Sequence, residues 1–252
     1  MPEARAEQDR AEPERAAEAP ELVLLHSPLV GASTWRPVAE VLRSRGRAVL
    51  LPSLADAFAG PGPYYPRLVS AAADAIAAGA GRGPLVLVGH SGAGALLPAV
   101  AGAVGGGRVV RTVFADALLP HPGRSWFSTV PAELSTRLRG LARGGLLPPW
   151  DEWFPPGTVE ELLPEPGQRA RFRAELPRLP LAYFEEAAPA AEDAPPRCGV
   201  YVQWSEGYAA EAHQAEQYGR PVIRRSAHHL AMLTEPRETA AVLEEAVGAL
   251  AL

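Results

Sequence analysis

The chain has 252 residues, 47% of them hydrophobic and 21% charged, a formal net charge of -5, and arginine at each of its 24 basic positions. With no lysine, Schiff-base chemistry, a pyridoxal phosphate anchor, a Walker-A phosphate loop and a Ser-x-x-Lys acylation pair are excluded, and chemistry must rest on Ser, His, Asp, Glu and Tyr. The acidic balance gives no electrostatic reason to bind nucleic acid or an anionic membrane, so the expected partner is a small hydrophobic molecule; a homo-oligomer is left open.

Met1 to Pro20 alternate Ala, Glu, Arg and Pro without an apolar run, which reads as a disordered tail and as neither a signal peptide nor a membrane span. Cys198 is the single cysteine, expected as a small buried apolar residue. It allows no intramolecular disulfide or cysteine-rich metal site, and it fits a cytoplasmic protein. Beyond the tail, short Val/Leu runs alternate with amphipathic Ala-rich stretches, the pattern of βα units building a parallel sheet covered by helices. Strands are predicted at Leu22 to His26, Arg47 to Leu51, Leu85 to Gly89, Val109 to Ala115, Gly199 to Trp204 and Pro221 to Arg225. Helices are predicted at Trp35 to Ser44, Tyr65 to Ala78, Gly92 to Val104, Ala209 to Tyr218 and Pro236 to Leu250.

The rhythm breaks once, where about 80 residues separate Ala115 from Gly199. The chain therefore divides into a tail (1–20), a core (21–116 and 197–252) and an insertion (117–196). The insertion is rich in proline and aromatic residues. Its aromatics either pack it onto the core or form a lid over an apolar pocket, in which case Trp126, Trp150, Trp153, Phe154 and Tyr183 are the candidates to touch substrate.

The strongest local signal is Leu85-Val-Leu-Val-Gly-His-Ser-Gly-Ala-Gly94, an apolar strand that bends at Ser91 and passes into a helical Ala/Leu run. Small neighbours at Gly89 and Ala93 permit a sharp strand-to-helix turn that exposes the hydroxyl and aims the next helix's amides, Gly92 first, at a developing oxyanion. A serine hydroxyl needs an imidazole base. Of six histidines, His228 and His229 follow the last strand on a loop at the same sheet edge as Ser91, His26 ends the first strand as a loop brace, and His90, His121 and His213 read as structural or solvated.

These motifs resemble the α/β-hydrolase superfamily over roughly residues 21 to 252. The matching segments are His26-Ser27, Gly89-His-Ser-Gly-Ala93 and His229-Leu-Ala-Met232, and the His26 to Trp35 spacing is similar to the methylesterase and hydroxynitrile-lyase branch. The resemblance implies Ser91 as nucleophile and His229 as base. It also implies a sheet of about six strands that lacks the family's first hairpin and is mostly or wholly parallel. Tyr208 stands where many members carry the triad acid, which leaves two candidates: Glu206, two residues earlier, and Asp116, in a segment that resembles the strand end bearing the acid in haloalkane dehalogenases. Asp56 is a third, remote one. Pro28 occupies the usual position of the first-loop oxyanion donor and has no N–H, so either the Ser27 hydroxyl or the Leu29 amide must serve, beside His26.

Two activities follow. One is a serine hydrolase of an ester, thioester or lactone, acting through an acyl-enzyme. The other is a lyase or cyclase of natural-product metabolism that uses Ser91 and His229 as general base; a non-catalytic binding module is a weaker third reading. No metal-ligand spacing or dinucleotide fingerprint calls for a cofactor.

Overall fold

The computed structural model describes residues 19–105, 107–189 and 199–249; the expected tail as far as residue 18, and Cys198, lie outside them. The six strands are β1 (Glu21–Leu25), β2 (Val49–Leu50), β3 (Leu85–Ser91), β4 (Val109–Ala117), β5 (Gly199–Gln203) and β6 (Val222–Arg224), in the order β2-β1-β3-β4-β5-β6 with every neighbour parallel. Parallel strands need crossovers, and the helices that make them cover both faces. That is why the central strands read as unbroken apolar runs: Leu22 to Leu25 and Leu85 to Val88 are buried throughout. The edge strands β2 and β6 are shorter than the sequence predicts, whereas β3 and β4 run on to Ser91 and Ala117.

The core helices are α1 (Arg36–Ser44), α2 (Tyr64–Gly79) and α3 (Leu97–Val104). The helix predicted from Gly92 to Val104 is divided, because a 3-10 turn over Gly92–Leu96 precedes α3. Pro98 explains the break. Lacking an N–H, it is accommodated in the first turn of α3 but would interrupt a longer helix.

Between β4 and β5 lie α4 (Ala132–Leu141), α5 (Thr158–Leu162), α6 (Pro166–Ala174) and α7 (Leu181–Glu185). Among the described residues, three side chains of this insertion hydrogen-bond to the core. The Glu186 carboxylate accepts from the amides of Tyr64 and Tyr65 (2.6 and 2.9 Å), capping the N-terminus of α2. Glu175 accepts from the amide of Ser33 (3.1 Å), and the side-chain amide of Gln168 donates to the carbonyl of Leu233 (2.7 Å). The chain closes with α8 (Ala209–Gln217), α9 (Ala231–Thr234) and α10 (Pro236–Gly248). Among the described residues no helix is long and apolar enough to cross a membrane.

The chain runs from β1 outward to β2, then returns to β3 and proceeds to the opposite edge. The strand order therefore reverses between β1 and β3, and in open α/β sheets the crevice beyond the strand ends at such a point is where ligands bind. Ser91 ends β3, and the loop His26 to Val30 leaves β1 beside it.

Candidate active site

Ser91 has φ +55° and ψ -125°, a conformation that non-glycine residues rarely adopt. The turn is held by close packing of small residues. A Cβ on Gly89 would lie 3.0 Å from the carbonyl oxygen of Ala93, and one on Gly94 would lie 2.2 Å from the carbonyl oxygen of Leu118. The second tight position is thus Gly94, against the end of β4, while the methyl of Ala93 is buried without conflict.

Asp116 is the second described non-glycine residue with positive φ, at +47°. In the β3–β4 ladder His90 pairs with Ala115 but Ser91 with Ala117, so Asp116 is an extra, bulged residue whose side chain is turned out of the strand's alternation. The hydroxyl of Tyr201 holds the bulge, accepting from the amide of Ala117 (3.2 Å) and donating to its carbonyl (2.7 Å). The Asp116 carboxylate is fully buried. Its Oδ1 accepts from the amides of Trp204 (3.1 Å) and Ser205 (3.0 Å), and its Oδ2 accepts from the Ser205 hydroxyl and from Nδ1 of His229 (2.7 Å). Four donors satisfy the buried charge. Because an ionised carboxylate only accepts, Nδ1 carries the proton and Nε2 keeps the lone pair.

Glu206 is exposed and has no bond to His229; Asp56 sits in a separate turn after β2. Between the two acids, the geometry brings Asp116 to the imidazole. The Ser91 hydroxyl meets the hydroxyl of Tyr208 at 3.0 Å, and the Tyr208 ring stacks on His229 with centroids 4.8 Å apart and planes 11° apart.

In the loop after β1, the amide of Val30 donates to the carbonyl of Ser27 (3.1 Å), closing a turn with Pro28 at its second position. The amide of Leu29 is directed at the Ser27 hydroxyl (3.3 Å). That hydroxyl faces Gly92, where a Cβ would approach it to 3.3 Å. Gly92 opens its 3-10 turn, and the first amides of such a turn have no partner inside it. His26 is buried beneath this loop and off the cavity wall. Its Nδ1–H donates to the Ser27 carbonyl (2.8 Å) and its Nε2 accepts from the amide of Leu54 (3.0 Å), so it braces two loops.

His90 is likewise buried, donating through Nε2 to the carbonyl of His229 (3.0 Å), with Nδ1 lacking a partner. Burial lowers the proton affinity of both His26 and His90 below the usual 6.5, and His229 nearby lowers His90 further. As pH falls below about 6.5 the unfolded chain takes up protons that the folded chain refuses, so stability is present above that value and is lost toward acid. Urea midpoints should be lower at pH 5.5 than at pH 7.5, and His90→Gln should flatten that dependence.

A cavity of about 470 Å³ opens above these groups, with Ser91, Gly92, Tyr208 and His229 on its floor. Trp126, Trp150, Trp153 and Phe154 line its walls, and so does Leu29. Tyr183 does not. It points inward against Phe58, Tyr65 and Phe184, as a buried packing residue of α7. Arg137 and Glu211 also reach the cavity, and burial beside Asp116 raises the Glu211 carboxyl above its usual range. Neither stood out in the sequence, where a charge on an amphipathic helix has no distinguishing signal. Among the described residues no group of three or more His, Cys, Asp or Glu is placed to hold a metal ion.

Residues 22–242 match the model of the alpha/beta hydrolase family. Among solved structures, an extracellular α/β-hydrolase from a Paenibacillus species, described as sharing structural and functional homology with tobacco salicylic acid binding protein 2, superposes with a TM-score of 0.71 at 22% identity, covering 90% of this chain and 98% of that one. A pyrethroid hydrolase from Sphingobium faniae gives 0.65 at 19% identity (92% and 98% covered), and tomato methylketone synthase I in complex with 2-tridecanone gives 0.67 at 17% (91% and 98%). At these identities the likeness is one of fold. No curated protein sequence matches the chain.

Proposed function

The chain belongs to the alpha/beta hydrolase family, and we propose that it is a serine hydrolase that cleaves an ester, thioester or lactone of a small hydrophobic molecule. The observation that carries this reading is that a strained Ser91, bonded in the free protein to Tyr208, and an imidazole whose Nδ1–H is fixed on a buried carboxylate line the same cavity. Substrate seated against the aromatic wall draws the Ser91 proton to Nε2 of His229 while Oγ bonds to the carbonyl carbon. The C=O electron pair moves onto oxygen, which the Gly92 amide stabilises, with the Ser27 hydroxyl as the first-loop donor that Pro28 does not supply. When the adduct collapses, the bond to the leaving group breaks and His229 returns the proton to it. Water then gives a proton to the same imidazole as its oxygen bonds to the acyl carbon, and when that adduct collapses the bond to Oγ breaks, the proton returns to Ser91 and the acid is released.

A second reading is favoured by the missing N–H of Pro28, which leaves the oxyanion side with one backbone donor fewer. In it Ser91 and His229 act as general base in a lyase or cyclase reaction, and no acyl-enzyme forms. The two separate by mass spectrometry. Incubation with an activated ester should add one acyl group, located on Ser91 and absent from Ser91→Ala; folded protein that acquires no acyl adduct overturns the hydrolase.

A further inference from the structure

We propose that Tyr208 is a catalytic residue, whose hydroxyl donates a hydrogen bond to the leaving-group oxygen as the tetrahedral adduct collapses; the assignment rests on the Ser91–His229 reading above. Because Asp116 supplies the carboxylate from β4, the loop after β5 is free of that duty, and it presents a phenol to the reacting atoms. The phenol hydroxyl lies 3.0 Å from Ser91 Oγ, on the floor of the cavity. Its ring stacks parallel on the His229 imidazole, which fixes the hydroxyl on the imidazole's side of Oγ. That is the side from which the departing oxygen must receive its proton, whereas the groups assigned to the carbonyl oxygen, the Gly92 amide and the Ser27 hydroxyl, come from the turn after β3 and the loop after β1.

In the free enzyme the phenol bonds to Oγ itself. Once Oγ is joined to the carbonyl carbon, the departing oxygen is attached to that same carbon and comes within reach of the same donor. The Tyr208 proton is not transferred. The electron pair of the breaking C–O bond goes to the departing oxygen, the proton comes from Nε2 of His229, and the phenol only shares its hydrogen with the charge that builds there. Burial pushes the phenol well above its ordinary range, so it remains a donor throughout the working pH range.

The dependence on the leaving group tests this. Tyr208→Phe keeps the ring stack and removes the hydroxyl alone, and it is compared with the unmodified protein on ethyl butyrate and p-nitrophenyl butyrate. An alkoxide needs help to depart, and nitrophenolate does not. Loss of a well-placed donor is expected to lower kcat/KM, which reports the steps through acylation, by about 100-fold on the ethyl ester and by less than about threefold on the nitrophenyl ester. Equal losses on both esters, no loss on either, a gain, or an unmodified protein that cleaves only the nitrophenyl ester overturns the assignment. Unmodified protein that acquires no acyl adduct overturns the hydrolase reading itself, and the assignment falls with it.

Discussion

Asp116→Asn is expected to lower kcat by about 10⁴-fold on any ester the enzyme turns over, with little change in KM. The four donors around the carboxylate dictate this outcome. Oδ1 is held by two backbone amides that cannot turn away, so an asparagine keeps its carbonyl oxygen there and presents its NH₂ to His229. The imidazole then accepts at Nδ1 and carries its proton on Nε2, where it no longer serves as a base for Ser91. Glu206→Gln is the matched control. Because that carboxylate is exposed and apart from His229, its loss should leave kcat within about twofold, since surface changes of this kind shift energies by only a few tenths of a kcal/mol. Steady-state rates of the two variants on p-nitrophenyl butyrate decide the matter, and equal rates would remove Asp116 from the triad.

Gly94→Ala should cost about 1–3 kcal/mol of stability, read as a fall in the urea midpoint, and should depress activity with it. The added methyl would stand 2.2 Å from the carbonyl oxygen of Leu118 and 2.9 Å from the Cβ of Ala117. Backbone rather than a flexible side chain must therefore give way. The end of β4 is also tied to the elbow by the Leu118 amide on the Ser91 carbonyl (3.0 Å), so the displacement reaches both Ser91 and the neighbouring Asp116. Gly102→Ala in α3 meets nothing within 4 Å and should instead stabilise by about 0.5–1 kcal/mol, as alanine does in a helix. A midpoint for Gly94→Ala equal to that of the unmodified protein would show that β4 yields freely.

The features readable from the sequence were those written locally. The nucleophile turn needs strand, small residues and helix in ten consecutive positions, and Ser91 is where they coincide. Place after the last strand leaves His228 and His229, and it is the resemblance carried by His229-Leu-Ala-Met232 that singles out His229. The acid is a different matter, because what separates Asp116 from Glu206 is one extra residue in a ladder, pinned by the hydroxyl of Tyr201 from the next strand. Bulges of this kind have no composition signal. The same holds for Tyr208, whose contact with Ser91 spans 117 positions of chain. Within the insertion, aromatic content leaves open whether the rings pack it onto the core or line a pocket, because that depends on local rotation of the chain: Tyr183 turns toward Tyr65, while Trp126, Trp150, Trp153 and Phe154 lie at the cavity.

The cap that Glu186 places on α2, together with the Glu175 and Gln168 contacts, has a consequence for recognition. An aromatic wall carried by an insertion tied to the core through Glu186, Glu175 and Gln168 is expected to keep its shape when a ligand arrives. Little ordering entropy is then spent on association. Discrimination between ligands should then fall to the outline of the chamber, with contour at entry counting for more than induced closure.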